Sequence, residues 1–180
     1  LIAAARELVG QGLTPTVEMA AEASGISRTT AYRYFPSQAS LLAAAHPETQ
    51  ITSLLGDPAP RDLQGRLDAV LTTFTEMIAA TEAQQRAMLR LSLEDRAEPT
   101  GLLRQGRAIG WFEEALEPLR GKWTDDEITA LAKALRAATG IESRVWLTDI
   151  GGLSDDEATT MLRWIGQALV RGARGDRPPA

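Results

Sequence analysis

A short stretch of the chain, residues 28–34, is crowded with side chains that form hydrogen bonds. Hydroxyl and guanidinium groups are common ligands of nucleic-acid phosphates, and an arginine can also bind guanine through two parallel hydrogen bonds. Both tyrosines of the chain fall in this stretch. The residue types therefore predict contacts with phosphates and base edges. The candidate residues are Arg28, Thr29, Thr30, Tyr32, Arg33 and Tyr34.

The neighbouring residues predict how these side chains are positioned. Ser27 can cap a helix that Pro36 stops. A preceding helix contains the small residue Ala20 and is followed by Gly25, which can adopt the positive φ of a tight turn. Two short helices joined by such a turn form a helix-turn-helix motif, whose second helix enters the major groove of DNA.

Aromatic residues in this segment have an alternative role in the interior. Tyr32 and Phe35 could both pack against the first and fourth predicted helices. We expect this role for Phe35 and expect Ile26 to anchor the turn in the core. For Tyr32 and Tyr34 we expect DNA contact.

Apolar residues recur at helical spacing through almost the whole chain, and no window sustains the alternation typical of strands. The chain is therefore predicted to be all-α, with about nine helices that begin at capping residues and end at glycine or proline. We expect residues 48–55 to extend the fourth helix beyond a kink. A sixth helix is expected to end near residues 98–99, and later helices are expected over residues 102–119 and 124–150, with a last helix after Ser154.

Composition limits the chemistry that the chain can perform. It has 180 residues, no cysteine and one histidine, which excludes disulfides, a cysteine nucleophile and multi-histidine metal sites. No apolar run approaches the roughly 18 residues of a spanning helix, and no charged-then-apolar leader is evident, so we expect a cytoplasmic protein. The net charge of the whole chain is −5, which is unfavourable for binding nucleic acid. The affinity, however, depends on the charge of the contact face.

The N-terminal segment resembles the DNA-binding domain of TetR-family (tetracycline-repressor-like) regulators. The resemblance implies three N-terminal helices that bind DNA, a variable helical core that binds a small-molecule effector, and two last helices that build a homodimer. The corresponding domains are residues 1–46 and residues 47–180. The resemblance also implies a repressor that its ligand releases from a pseudo-palindromic operator. Matching positions are Thr16, residues 21–27, Thr30, Tyr32, Tyr34, Phe35, Ser37, Leu41 and Leu42.

Carried over residue by residue, the resemblance implies a set of DNA contacts. One position departs from the family, because Gln38 stands where a lysine usually binds a phosphate. A glutamine can still donate a hydrogen bond there, although without charge. The implied contacts are Thr16, Arg28, Thr29, Thr30, Tyr32 and Tyr34, with Arg33 and Gln38 as further candidates.

The last two predicted helices carry more apolar and small residues than one subunit needs. Small residues such as Gly166 and Gly172 allow helices to approach closely. Two helices from each of two subunits would form a four-helix interface, and packing within one subunit is the alternative. The dimerisation candidates are Trp146, Ile150, Met161, Leu162, Trp164, Ile165 and Leu169.

Large apolar residues of the central helices could line an effector cavity, since ligand sites are mostly hydrophobic with few polar anchors. Each of them could equally be plain core. The ligand-binding candidates are Phe74, Met77, Met88, Leu91, Arg107, Trp111 and Trp146.

Two other functions remain open at this point. Acidic clusters such as residues 125–127 could bind a divalent metal in an all-α enzyme, but adjacent carboxylates on a helix point to different faces and helix capping explains this cluster. A dimeric small-molecule-binding protein that has lost DNA binding is the second alternative. We expect a non-enzymatic protein without a cofactor.

Overall fold

The computed structural model describes residues 1–46, 51–94 and 106–179, and within these ranges it contains α-helices but no β-strand. The predicted all-α class is confirmed. The described residues divide into two compact units. Unit 1 contains the described parts of Leu1–Ile51 and Thr81–Gln105, and unit 2 contains those of Thr52–Ala80 and Gly106–Ala180.

Unit 1 begins with four short helices, and side-chain caps define their starts. The hydroxyl oxygens of Thr16, Ser27 and Ser37 each accept a hydrogen bond from a backbone N–H in the first turn of the following helix. Gly25 takes a φ of +67°, which ends the second helix with the predicted turn. The helices are α1 (Ile2–Gly10), α2 (Val17–Ala23), α3 (Arg28–Tyr34) and α4 (Gln38–Ala45).

The core of these four helices is built mostly from alanine. Ala20, Ala21 and Ala31 are buried together with Leu41, and small side chains let the short helices cross closely. Ile26 and Phe35 pack against this cluster as predicted. The arrangement is the helix-turn-helix that the sequence indicates.

Helix α6 (Glu82–Glu94) belongs to unit 1 and packs against α4. Leu42 of α4 forms an apolar cluster with Ala87 and Met88 of α6. The Nε2 group of Gln84 donates a hydrogen bond to the carbonyl of Leu42 at 3.1 Å, and Nε of Arg6 donates to the carbonyl of Ala45 at 3.1 Å. Side chains from α1 and α6 therefore satisfy carbonyl groups in the last turn of α4, which lack partners within a helix.

Unit 2 is formed by α5 (Leu63–Ala80), α7 (Arg107–Ala115), α8 (Asp125–Thr139) and α10 (Asp155–Ala173), with a short α9 (Ile141–Val145) between the last two. Phe74 lies at the centre of its core, where its ring meets those of Trp111 and Phe112 edge to face. Gly166 allows α10 to approach α5, because a Cβ at this position would lie 2.6 Å from a methyl group of Leu71.

Several predicted helix boundaries are wrong. Residues 51–55 are not helical, so the fourth helix does not extend over them, while residues 47–50 and the predicted end of the sixth helix near 98–99 lie outside the described residues. The helix predicted over 102–119 begins only at Arg107, because Gly106 takes a left-handed φ of +64°, and residues 102–105 are also outside the described part. A 3₁₀ turn, Glu117–Leu119, follows α7 and contains Pro118.

The helix predicted over 124–150 is interrupted at Gly140. Here Arg136 and Glu142 form an ion pair at 2.9 Å across the joint, and a Cβ at Gly140 would lie only 1.8 Å from Nη1 of Arg136. After α9 the chain continues as a π-helical turn, Trp146–Ile150. The last helix begins after Ser154 as predicted.

The predicted domain boundary between residues 46 and 47 separates a DNA-binding part from a ligand-binding and dimerisation part, and this functional division stays a prediction. The two compact units are defined by packing, and they place α6 with the N-terminal helices.

Candidate nucleic-acid interface

Helix α3 exposes most of its seven residues. Ala31 is the one residue of this helix that is fully buried, and it fixes α3 to the alanine core. Five of its seven residues are exposed and so accessible to another molecule. The structure therefore brings together the six predicted side chains on one accessible helix, with Thr30 partly buried and Arg28, Thr29, Tyr32, Arg33 and Tyr34 exposed.

The hydroxyl groups at the start of α3 remain able to donate hydrogen bonds. The hydroxyl of Thr30 accepts a hydrogen bond from the hydroxyl of Ser27 at 2.9 Å, so its own proton is still available. The oxygen of Ser27 in turn accepts from the backbone N–H of Thr30 at 3.3 Å. Thr16 serves as the N-cap of α2, where its hydroxyl oxygen accepts from the N–H of Met19 at 3.3 Å.

The two tyrosines of α3 have different surroundings. Tyr34 is 63% exposed, and the Cζ atom of Arg33 lies 5.5 Å from its ring centre. Tyr32 is 40% exposed, and its hydroxyl donates a hydrogen bond to the Glu18 carboxylate of α2. Tyr34 thus offers a hydroxyl without an acceptor among the described residues, whereas the proton of the Tyr32 hydroxyl is already engaged.

Glu18 of α2 places a negative charge beside the hydroxyl and guanidinium groups of α3. The hydrogen bond from Tyr32 is the main reason why the pKa of Glu18 lies below its ordinary value. The same hydrogen bond raises the pKa of Tyr32, because losing the proton would leave two negative oxygens in contact. Sequence reasoning missed Glu18, since Tyr32 is 14 residues away along the chain.

Gln38 does not present a free donor at the position where a phosphate ligand was predicted. Its Nε2 group donates to the carbonyl of Thr14 at 3.2 Å and to the carbonyl of Pro15 at 3.1 Å. A side-chain amide has two N–H donors, and both are used here. In this arrangement Gln38 anchors the loop that leads into α2.

A second exposed surface lies on unit 2 and is apolar. We call it the outer face, and it consists of exposed residues on the π-helical turn and on α10. Leu162, which the sequence also placed there, is fully buried in the core of its own unit, and Ile165 and Leu169 are partly buried. The outer face comprises Trp146, Ile150, Met161 and Trp164.

A buried arginine fixes the base of the outer face. Arg144 of α9 is 1% exposed, and its Nη2 group lies 2.8 Å from a carboxylate oxygen of Asp155. Its Nη1 group donates to the hydroxyl of Thr159 at 3.1 Å. The guanidinium group therefore ties the start of α10 to the helix that precedes the π-helical turn.

The predicted ligand-binding residues are divided between the two compact units. Phe74 and Trp111 meet in the core of unit 2, with ring centres 6.4 Å apart. Met88 and Leu91 lie on α6 in unit 1, where they join the cluster around Leu42. The remaining candidates are Met77 and Arg107, both partly buried, and Trp146, which is 56% exposed on the outer face.

The geometry of α2, Gly25 and α3 defines a helix-turn-helix protein. Residues 1–45 match the family model described as "Bacterial regulatory proteins, tetR family". Over these residues the chain is similar to the N-terminal part of regulators of that family. No curated protein matches it. Within the described residues, no helix combines the length and the apolar character that crossing a membrane would require.

Proposed function

We propose that this chain is a DNA-binding transcriptional repressor, that it binds a pseudo-palindromic operator as a homodimer, and that a small-molecule effector releases it. The observation that supports DNA contact most directly is the exposure of α3, whose accessible side chains carry hydroxyl or guanidinium groups. Regulators of this family typically have no enzymatic activity, and we propose none for this chain.

The proposed DNA contacts fall into two groups by chemistry. Arg28 and Arg33 supply positive charge to phosphates or read guanine, and the hydroxyl groups supply directional hydrogen bonds. Gln38 is assigned a positioning role, because its amide holds the loop before α2. The proposed hydroxyl contacts are Thr16, Thr29, Thr30, Tyr32 and Tyr34.

The outer face supports the proposal of a homodimer. Trp164 is 58% exposed although the opposite side of α10 is buried in unit 2. Beside it, an open groove of about 470 Å³ between α8 and α10 is lined partly by the small residues Ala134, Ala168 and Gly172. A helix from a second copy fits such a groove, because small residues allow close approach.

The charges of α10 favour an antiparallel pair of these helices. Its first turn carries Asp155, Asp156 and Glu157, and its C-terminal end carries Arg171 and Arg174. A two-fold axis across α10 would bring the acidic start of one helix near the basic end of its partner. A two-fold dimer that binds both half-sites of one operator needs its recognition helices about one DNA turn, roughly 34 Å, apart, and its site is pseudo-palindromic.

The contacts of α6 provide a route by which an effector could act on the DNA-binding helices. Met88 packs on Leu42, and Gln84 donates to the Leu42 carbonyl. A ligand-dependent shift of α6 would therefore displace the C-terminal end of α4 within unit 1. Coupling of this kind is reciprocal, so DNA must weaken effector binding by the same factor.

Selection from a random duplex library tests the proposed DNA binding. We expect an enriched sequence with two inverted half-sites, whose binding weakens as salt rises because phosphate contacts release counterions. A helical binding protein that has lost DNA binding is the second candidate, favoured by the carboxylate of Glu18 beside Tyr32. Enrichment of no sequence would support that candidate.

Two further measurements test the dimer and the effector. Small-angle scattering at micromolar concentration should give the mass of a dimer, and a monomer would contradict the proposal. A small-molecule screen should find a compound that raises thermal stability and lowers DNA affinity together. A compound that binds without changing DNA affinity would argue against the switch.

A further inference from the structure

Glu18 and Tyr32 form a hydrogen-bonded pair on the proposed DNA-contact surface. Phosphate binding does not account for this pair, because it includes a carboxylate. Glu18 lies in the first turn of α2, partly exposed, and its carboxylate accepts a hydrogen bond from the Tyr32 hydroxyl. The hydroxyl of Thr16 also hydrogen-bonds to this carboxylate, and the charge of Arg28 acts on it. An anionic group therefore occupies the junction of α2 and α3.

Hydrogen-bond accounting shows what the pair can bind. A tyrosine hydroxyl has one proton, and that of Tyr32 is donated to Glu18. What remains available on the pair is a set of acceptors, the lone pairs of the hydroxyl oxygen and of the carboxylate. Phosphate oxygens are also acceptors and are negatively charged, so the pair repels a phosphate.

Donors are scarce on the surface of DNA. In the major groove, the exocyclic amino groups of cytosine N4 and adenine N6 are the donors, whereas guanine and thymine present acceptors there. We propose that Glu18 and Tyr32 together read such an amino group and select cytosine or adenine at one position of each half-site. This inference rests on the proposed function, namely that α3 faces DNA.

Cytosine is the base that the pair should favour. Adenine places its N7 acceptor beside its amino group, and this acceptor would face the carboxylate, whereas a carboxylate accepts readily from cytosine N4. At neutral pH a glutamate is ionised and a tyrosine is protonated, and the lowered pKa of Glu18 and the raised pKa of Tyr32 both shift further in these directions. Both groups therefore hold the protonation states that the pair needs.

The test is selection from a random duplex library with three forms of the full chain: wild type, E18Q and E22Q. Glu22 is an exposed carboxylate on the same helix, so E22Q matches the change in net charge. Wild type and E22Q should select the same half-site, with cytosine, or secondarily adenine, at one position. E18Q should select the same sequence except at that position, where the preference is relaxed.

Titration of single duplexes makes the expectation quantitative. Replacing the selected cytosine by thymine should weaken wild-type binding by about 5- to 100-fold and E18Q binding far less, given the usual discrimination of a base-specific hydrogen bond. Y32F is a second variant that keeps the ring, and it should relax the same position. Thermal unfolding of each variant shows whether it is folded.

Three outcomes would overturn the inference. Equal weakening of all sequences by E18Q and Y32F would assign the pair a purely structural role. Retention of the same base preference in both variants would contradict it, as would a wild-type consensus in which neither cytosine nor adenine responds to these substitutions. If wild type enriches no sequence, the proposed DNA binding itself fails, which is a distinct result.

Discussion

Helix α3 and the outer face of unit 2 both expose large aromatic side chains, but the chemistry of these side chains differs. The tyrosines of α3 end in hydroxyl groups, and arginines stand beside them. On the outer face, Trp164 and Ile150 are 58% and 71% exposed and present mainly carbon to solvent. Under the proposed function both surfaces bind a partner, and their polar groups indicate which partner each one fits.

The two surfaces are also supported in different ways. Helix α3 has seven residues and buries one alanine, so it depends on the neighbouring helices for its position. Helix α10 has nineteen residues and buries a full stripe of its own, including Leu162, Gly166 and Val170. Its exposed apolar residues form a second stripe that the subunit does not use. In the proposed homodimer, a second copy covers this stripe.

The largest effect is expected from W164E on the outer face. A carboxylate at the centre of an apolar interface would lose its hydration without a partner, so the dimer should weaken by about 2 kcal/mol or more, roughly 30-fold. Operator affinity should fall as the dimer dissociates, because a monomer contacts only one half-site. Sedimentation across a concentration series measures the dimer.

The matched control for W164E is L93E, since Leu93 of α6 is 66% exposed and lies in unit 1. It introduces the same charge at an exposed apolar position of the other compact unit. Dimerisation should be unchanged in L93E. If dimerisation weakened equally in both variants, or not at all in W164E, the outer face would not be the dimer interface.

The next effect in size concerns the support of the outer face. D155A should destabilise the protein by about 1–3 kcal/mol, because it deprives the buried Arg144 guanidinium of its carboxylate. D156A is the control, since Asp156 is the exposed neighbour in the same turn. Thermal unfolding should be compared at one protein concentration, because dimer stability depends on concentration. Equal changes in the unfolding temperature of D155A and D156A would show that the contact between Asp155 and Arg144 does not stabilise the protein.

Helix starts were predictable from the sequence because capping is local. Ser27, Thr124 and Ser154 each accept a hydrogen bond from a backbone N–H three residues later. The break at Gly140 was not predictable, because it accompanies an ion pair between Arg136 and Glu142 that forms only once the chain bends. The apolar pattern continues through this joint, so periodicity alone predicts one helix.

At the candidate interface, too, local features were predictable from the sequence and tertiary contacts were not. The exposure of Tyr34 and Arg28 follows from residue type and from the motif, and it was predicted. The engagement of Gln38 with the loop before α2 depends on groups 23 and 24 residues away, and sequence spacing contains no sign of it. Local rules therefore identify the surface, while tertiary contacts decide which of its members are free to bind.

A smaller effect should distinguish charge from hydrogen bonding on α3. R28A should reduce the slope of log affinity against log salt by about one per subunit on a random duplex, as expected for one lost phosphate contact. Y34F removes a hydroxyl without removing charge, so it should lower affinity and leave the slope unchanged. Salt titrations check both variants. An unchanged slope in R28A would mean that Arg28 does not bind a phosphate.

The smallest expected effect is a difference in acid sensitivity between the caps of the two surfaces. The cap of α3 consists of Ser27 and Thr30, which do not titrate, whereas the capping box of α10 uses Glu157. Hydrogen bonds from the hydroxyl and the backbone N–H of Ser154 lower the pKa of Glu157. Because the folded pKa lies below the ordinary value, this contribution to stability is present above that value and is lost as pH falls through the folded pKa.

E157Q should therefore unfold at a lower temperature than wild type at pH 7, and the difference should shrink as pH falls through the lowered pKa of Glu157, because the carboxyl of the wild type then becomes protonated. D156N removes a carboxylate of the same turn that is not part of the capping box, so its effect should depend less on pH. A pH-independent difference in E157Q would show that the cap acts through shape rather than charge. In that case acid would not distinguish the start of α10 from that of α3.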